Sequence, residues 1–258
     1  MSELVALATD VAREAGAGLR TAFGRLGEGG LAIHAKSTPT DLVSEADVAT
    51  ERLIRARLEA ARPDDAIMGE EGDDRPGTSG LRWVVDPLDG TVNFLFGLPQ
   101  WCVSVAVEDA QGTLAGVVFD PMREETWAAT RDGPATLDGA PLGPPARTDL
   151  ATALVATGFG YDAGVREAQA RVLARLLPRV RDVRRLGAAA LDLAWAAGGR
   201  VDAYYERGVH HWDVAAGALI CARAGLAVRE LTPTPPAASG LLVAPPAFAD
   251  ELVSLVTD

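Results

Sequence analysis

Lysine is almost missing from this chain: of 24 basic residues only Lys36 is not an arginine, and 36 acidic residues leave a net charge of -12 over 258 residues. No run of Lys or Arg forms a basic stripe, and a polyanion backbone would be repelled, which argues against non-specific nucleic-acid binding. Cysteine is equally scarce. Cys102 and Cys221 lie inside apolar stretches, and two cysteines without a secretory context make no disulfide framework, so both read as buried thiols. No apolar run reaches the roughly 18 residues of a membrane span, so no membrane partner is expected. The chain opens on Ser2-Glu3 and an amphipathic pattern, without a basic stretch leading into an apolar core. No signal peptide is therefore expected, and the expected location is cytoplasmic.

What remains is ample material for a core: 48% of residues are hydrophobic. One compact unit over residues 1–258 is expected, with an α+β half to about residue 145 and an α/β half from about 146. Leu4, Leu7, Ala8, Val11, Ala15 and Leu19 recur at helical spacing, and a second helix follows Ser44 and ends by Pro63. Apolar runs at 66–69, 83–85, 102–107, 114–119 and 126–129 predict strands. Beyond residue 150 strands and helices alternate: strands at 154–157, near 183, at 201–205, 226–231 and 240–243, and helices at 165–177, 188–197, 213–224 and 247–256. Asp213 sits where an N-cap belongs. The Pro-rich stretches 141–145 and 232–236 read as loops.

The chemistry concentrates in Asp86-Pro87-Leu88-Asp89-Gly90-Thr91. Proline cannot extend the ladder of the preceding strand, so the chain is expected to turn at Asp86 and let Asp86 and Asp89 converge on one point. Gly90 permits close backbone approach, and a helix starting there turns its free amides toward an anion. Glu70, Glu206 and Asp213 stand at strand or helix ends where structure alone does not ask for acids. His34, His210 and His211 read as loop residues, and the five tryptophans, Trp83, Trp101, Trp127, Trp195 and Trp212, as core or subunit-interface residues.

Three motifs carry a resemblance: Gly69-Glu70-Glu71, the run from Trp83 through Asp86, Asp89 and Thr91 to Phe94, and Asp202-Ala203-Tyr204-Tyr205-Glu206 continuing to Trp212-Asp213 and Gly217. In this order and spacing the chain resembles the inositol monophosphatase family of magnesium-dependent, lithium-sensitive phosphatases. The resemblance implies an α/β fold layered αβαβα, shared with fructose-1,6-bisphosphatases, and a homodimer. It implies a magnesium site of Glu70, Asp86, Asp89 and Asp213, with the Leu88 carbonyl and Thr91 hydroxyl nearby. Oxygen-only donors agree with a hard cation such as Mg²⁺. Four carboxylates and a phosphate dianion carry about six negative charges, which supports the two to three ions the family implies.

By the same resemblance, the reaction is hydrolysis of myo-inositol 1-phosphate or a similar polyol phosphate by direct attack of metal-activated water. Glu70 with the Asp47–Thr91 pair would orient and deprotonate that water, Asp86 would bridge two ions, and Asp89 with Asp213 would complete the ion beside the leaving group. Gly90 and Thr91 amides would hold the phosphate, Glu206 would accept hydroxyls, Asp89, Ala189 and Asp213 would border the substrate, and Lys36 would lend positive charge from behind. The chain departs from the family at Gly72, where serine often stands, at Ala188, where a hydroxyl is common, at Leu226, where glycine is usual, and in a shortened segment after Leu231. Histidinol phosphate, fructose 1,6-bisphosphate and 3'-phosphoadenosine nucleotides stay open as substrates, as does a non-catalytic regulatory protein that keeps the fold.

Overall fold

The computed structural model describes residues 2–26, 33–35, 42–235 and 238–257. Helix α1 (Ser2–Gly24) leads through the short antiparallel pair β1 (Ile33–Ala35) and β2 (Leu42–Ser44) to α2 (Glu45–Ala61). One sheet then forms in chain order from β3 (Ala66–Gly69), β4 (Arg82–Asp89), β5 (Cys102–Asp109), β6 (Gly112–Asp120), β7 (Glu125–Thr130), β8 (Thr136–Leu137) and β9 (Ala140–Pro141), with helix α3 (Thr91–Leu95) between β4 and β5. Only β3 and β4 pair in parallel there. The second half supplies β10 (Leu154–Thr157), α4 (Ala163–Leu176), β11 (Asp182–Arg184), α5 (Ala189–Ala197), β12 (Ala203–Arg207), α6 (His211–Arg223), β13 (Ala227–Leu231), β14 (Gly240–Ala244) and α7 (Ala249–Thr257). Its sheet runs β11-β10-β12-β14-β13, the first three strands parallel and β14 antiparallel to both neighbours.

Burial on both faces of both sheets produces the expected αβαβα layering. Along β5, Val103, Val105 and Val107 join α1 and α2, while Cys102 and Ala106 join α5 and α6. Along β12, Tyr204 faces that same central layer, whereas Ala203 and Tyr205 face the outer layer with α7. The period of two thus sorts residues into three cores. Both cysteines are buried free thiols, and Trp83, Trp101 and Trp127 are core residues, as expected. Trp195 is half-buried, with the Arg123 and Arg200 guanidinium groups 4.8 and 5.2 Å from its ring centre. Among the described residues no helix is long and apolar enough to cross a membrane.

Two expectations change. The stretch beginning at Pro141 is not all loop: Pro141 ends a small hairpin whose Asp138 and Gly139 both take left-handed φ, 49° and 80°, as a two-residue turn requires. Strand β4 also continues through Pro87 to Asp89, with a register slip against β5 between Asp86 and Asp89. A bulge leaves a residue outside the ladder, so proline's missing N–H does no harm there.

The central helices pack against backbone. A Cβ on Gly116 of β6 would stand 2.7 Å from Ala216 Cα, and one on Gly217 2.6 Å from Leu193 Cβ. Gly116→Ala should therefore lower stability by about 1–3 kcal/mol through forced separation of β6 and α6. Urea unfolding checks this, and an unchanged midpoint would refute the close approach.

Candidate active site

The β4 bulge creates the site. Asp86 lies opposite Ser104 and Asp89 opposite Cys102, so three steps on β4 match two on β5. Residues three apart in a regular strand face opposite sides. The inserted residue places both aspartates on the face toward α5 and α6, while Leu88 packs into the α1–α2 core. Asp86 Oδ1 accepts from the Leu88 N–H at 3.0 Å, which closes the bulge.

Asp89 caps a helix from a distance. Ala188, which precedes α5, offers no capping side chain, and Asp89 takes its place: Oδ1 accepts from Ala189 N–H at 3.1 Å and Oδ2 from Ala190 N–H at 2.7 Å. The Cys102 thiol donates to the same carboxylate at 3.6 Å. Asp213 is not the N-cap of α6, as expected from sequence, but its third residue. It accepts from the N–H of the true cap, His210, at 2.6 Å in a capping box.

Glu70 leaves the end of β3 on a loop that α2 holds. Buried Glu51 accepts from Glu71 N–H at 2.7 Å and pairs with Arg55 at 2.7 Å, and Arg55 reaches the Gly72 carbonyl at 3.3 Å. A Cβ on Gly69 would meet Glu51 at 2.5 Å, so glycine lets the loop lie on this pair. Thr91 begins α3 after Gly90, whose φ of 96° is left-handed. The Thr91 hydroxyl donates to Asp47 at 2.8 Å, with the Leu88 carbonyl at 3.1 Å. Asp47 is fully buried in the first turn of α2.

Glu70, Asp86, Leu88, Asp89, Thr91 and Asp213 line one cavity of about 480 Å³, and Gly90, Ala189 and Glu206 line it too. The structure thus gathers nearly every expected residue. Lys36 lies outside the described residues, as do the side chains around His34. His210 lies in the loop before α6 and Trp212 packs against the central core, as expected, and their rings stack at 4.7 Å on the cavity wall. His211 opens α6 and bonds Glu108 at 2.8 Å.

Burial raises the Asp86 pKa well above the carboxylate range, with Glu70, Asp89 and Asp213 adding repulsion. Burial likewise lifts Asp89 to about 6, against the pull of the Ala190 and Ala189 amides. Asp213 is raised by burial and by Asp89. Glu206, whose carboxylate accepts from Tyr204 at 3.0 Å, is lifted by burial to about 7. Sequence reasoning missed Glu51, Arg185 and Asp192. Arg185 lines the cavity and lowers the Glu206 pKa. Asp192 is 1% exposed, has an unmatched Oδ1, and is raised well above its ordinary pKa by burial and Asp89.

These donors fit a hard divalent cation, since all are oxygens and Glu70, Asp89 and Asp213 crowd Asp86 with like charge. Among the described residues no three acidic, His or Cys side chains stand together, as they are placed, so as to hold a metal ion. Three of the four carboxylates are instead turned onto backbone amides, with lone pairs to spare.

The model of the inositol monophosphatase family matches residues 1–257. A Mycobacterium bovis protein named inositol-1-monophosphatase is 46% identical over 98% of this chain and 93% of its own length. A Xylella fastidiosa protein named Nus factor SuhB is 44% identical over 72% of this chain and 67% of its own. The crystal structure of extragenic suppressor protein suhB from Bartonella henselae superposes with a TM-score of 0.91 at 30% identity, covering 99% of each chain. Agreement in sequence and fold over nearly its whole length makes this chain a member of the inositol monophosphatase family.

Proposed function

We propose that the protein is a magnesium-dependent phosphoric monoester hydrolase acting on myo-inositol 1-phosphate or a closely similar polyol phosphate. One observation carries the reading: four carboxylates, Glu70, Asp86, Asp89 and Asp213, share a cavity with Glu206 and the start of α3. Two to three magnesium ions held by these four and the Leu88 carbonyl would offset the phosphate's charge and acidify the attacking water. The two copies of a homodimer would each carry such a site.

The chain's own groups divide the work. The first amides of α3 have no partner within the helix, and Gly90 brings that backbone close enough for them to bind the phosphate. Asp47 takes the Thr91 hydroxyl proton in its hydrogen bond, so Thr91 Oγ1 can accept from a water. Glu70, on the same wall, accepts the proton that water loses on attack. The leaving alcohol lies toward Ala189, with its hydroxyls on Glu206. Relatives named Nus factor exist, and the complete carboxylate set favours turnover over a purely regulatory role.

Phosphate release with Mg²⁺ from myo-inositol 1-phosphate, histidinol phosphate, fructose 1,6-bisphosphate and a 3'-phosphoadenosine nucleotide tests the assignment. The inositol ester should lead in kcat/KM, and a large lead for any other would displace it. Asp89→Asn should lower kcat/KM by about 10²–10³-fold. Asparagine keeps one oxygen for the α5 amides and removes a charge that repels Asp86, so the metal-free protein should stay folded. Full activity in this variant would end the reading.

Asp86, Asp89 and Asp213 bind protons more tightly folded than unfolded when no cation is present. Their contribution to stability is full below about pH 4 and is lost as pH rises through about 6 and beyond. Thermal melts in chelator should therefore show these sites destabilising the protein between pH 5 and 8, with the gain from Mg²⁺ larger at pH 8. An equal gain at both would contradict a crowded cluster.

Glu206 accepts a hydroxyl proton through either oxygen only when ionised. Burial and Asp89 raise its pKa, while Tyr204 and Arg185 oppose the rise, giving about 7. KM for a polyol phosphate should climb up to about tenfold per pH unit below that midpoint and level off above it. A cation beside Asp89 moves the midpoint lower. A KM independent of pH from 5.5 to 9 would remove Glu206 from recognition.

A further inference from the structure

The Glu206 carboxylate lies where only a glycine leaves space. Strand β10 pairs in parallel with β12, Thr157 opposite Tyr205, so Gly158 comes level with Glu206. A Cβ on Gly158 would stand 2.0 Å from both carboxylate oxygens and 2.1 Å from the carbon between them. The Gly158 backbone is outside the left-handed region, so its conformation does not require glycine. Space for the carboxylate does. Tyr204, two residues before Glu206 on the same strand face and fully buried, donates its hydroxyl to Glu206 Oε2 at 3.0 Å. Among the described residues that one side-chain donor fixes one oxygen and leaves Oε1 to accept from a ligand.

We propose that Gly158 and Tyr204 are positioning residues that set the specificity of the site. They seat the Glu206 carboxylate at the depth where it takes a hydroxyl of the substrate's alcohol, so that hydroxyl-bearing alcohols are selected over bare ones. The proposal rests on Glu206 as the hydroxyl acceptor in the phosphatase reading above. A methyl group at residue 158 meets the far end of a flexible side chain, so Gly158→Ala displaces the carboxylate and leaves the backbone in place. Misplacement on the scale of 1 Å is enough to lose an oriented contact.

The test is steady-state phosphate release, with Mg²⁺, from myo-inositol 1-phosphate and from p-nitrophenyl phosphate, whose alcohol carries no further hydroxyl. Gly158→Ala and Tyr204→Phe should each raise KM for the inositol ester about tenfold or more, with kcat within about twofold. Both should leave kcat/KM for p-nitrophenyl phosphate within about twofold. In a Glu206→Ala background, adding Gly158→Ala should change nothing further, because the group it displaces is gone. Equal losses on both substrates, no loss on either, or a Gly158→Ala penalty that persists without the carboxylate would overturn the proposal. If Gly158→Ala does not fold, Tyr204→Phe, which removes one hydroxyl, carries the same comparison. The two readings fail differently. Wild-type protein that hydrolyses only p-nitrophenyl phosphate sinks the polyol assignment and this proposal together, whereas polyol preference that survives both substitutions sinks this proposal alone.

Discussion

A strand carboxylate caps a helix that begins a hundred residues later in the chain, and the site is organised around that bond. Asp89 satisfies the first amides of α5, which no local side chain serves. The same logic recurs around the cavity: Asp213 lies in the first turn of α6, Asp47 in the first turn of α2, and α3 begins at Thr91. Helix N-termini carry positive partial charge, so acids gathered among them are less unfavourable than acids gathered in an apolar pocket. For Asp89 and Asp213 the backbone amides lower the pKa against the rise from burial, without cancelling it. What is left over is negative potential in a cavity, and that suits divalent ions.

Small residues make this convergence possible. Gly116, Gly217 and the alanine-rich α5 let β6, α5 and α6 approach at backbone distance, which draws the two sheets toward one central layer. Gly69 and Gly158 do the same at the rim, each lying flat beneath a glutamate carboxylate. Side chains larger than hydrogen at these places would move Glu51 or Glu206 before they moved any backbone, so the geometry of the site is written partly in absent atoms.

The cavity residues were legible because the Asp86–Thr91 run, Glu70, Glu206 and Asp213 recur together in one order and spacing, although Asp89 and Asp213 also serve helix ends. Their exact settings were not. The bulge at Pro87 depends on pairing with β5, and no local signal tells a proline turn from a proline bulge. Asp213 resembled an N-cap because histidine is a poor one, and only the fold shows His210 in that place. Glu51 and Arg55 form an i,i+4 pair on α2, and no local signal shows that they carry the Glu70 loop through a contact twenty residues away. Asp138-Gly139 is a different case, a hairpin signal that stands in the sequence and that the reading of the stretch from Pro141 as loop passed over.

In the proposed reaction, phosphate and alcohol would be held by different parts of the fold. The phosphate side draws on β4, α3 and the loop after β3, tied together by Asp47–Thr91 and by Glu51. The alcohol side draws on β12, β10 and the start of α5, tied together by Tyr204–Glu206 and the Asp89 cap. Asp89 would belong to both, since it anchors α5 and would border the proposed cation site, so an alcohol pocket there could not drift relative to the phosphate without breaking the cap. A change in the β10–β12 rim, by contrast, alters which alcohol fits and leaves the carboxylates of β4 untouched. The fold thus fixes the reaction class more rigidly than it fixes the substrate.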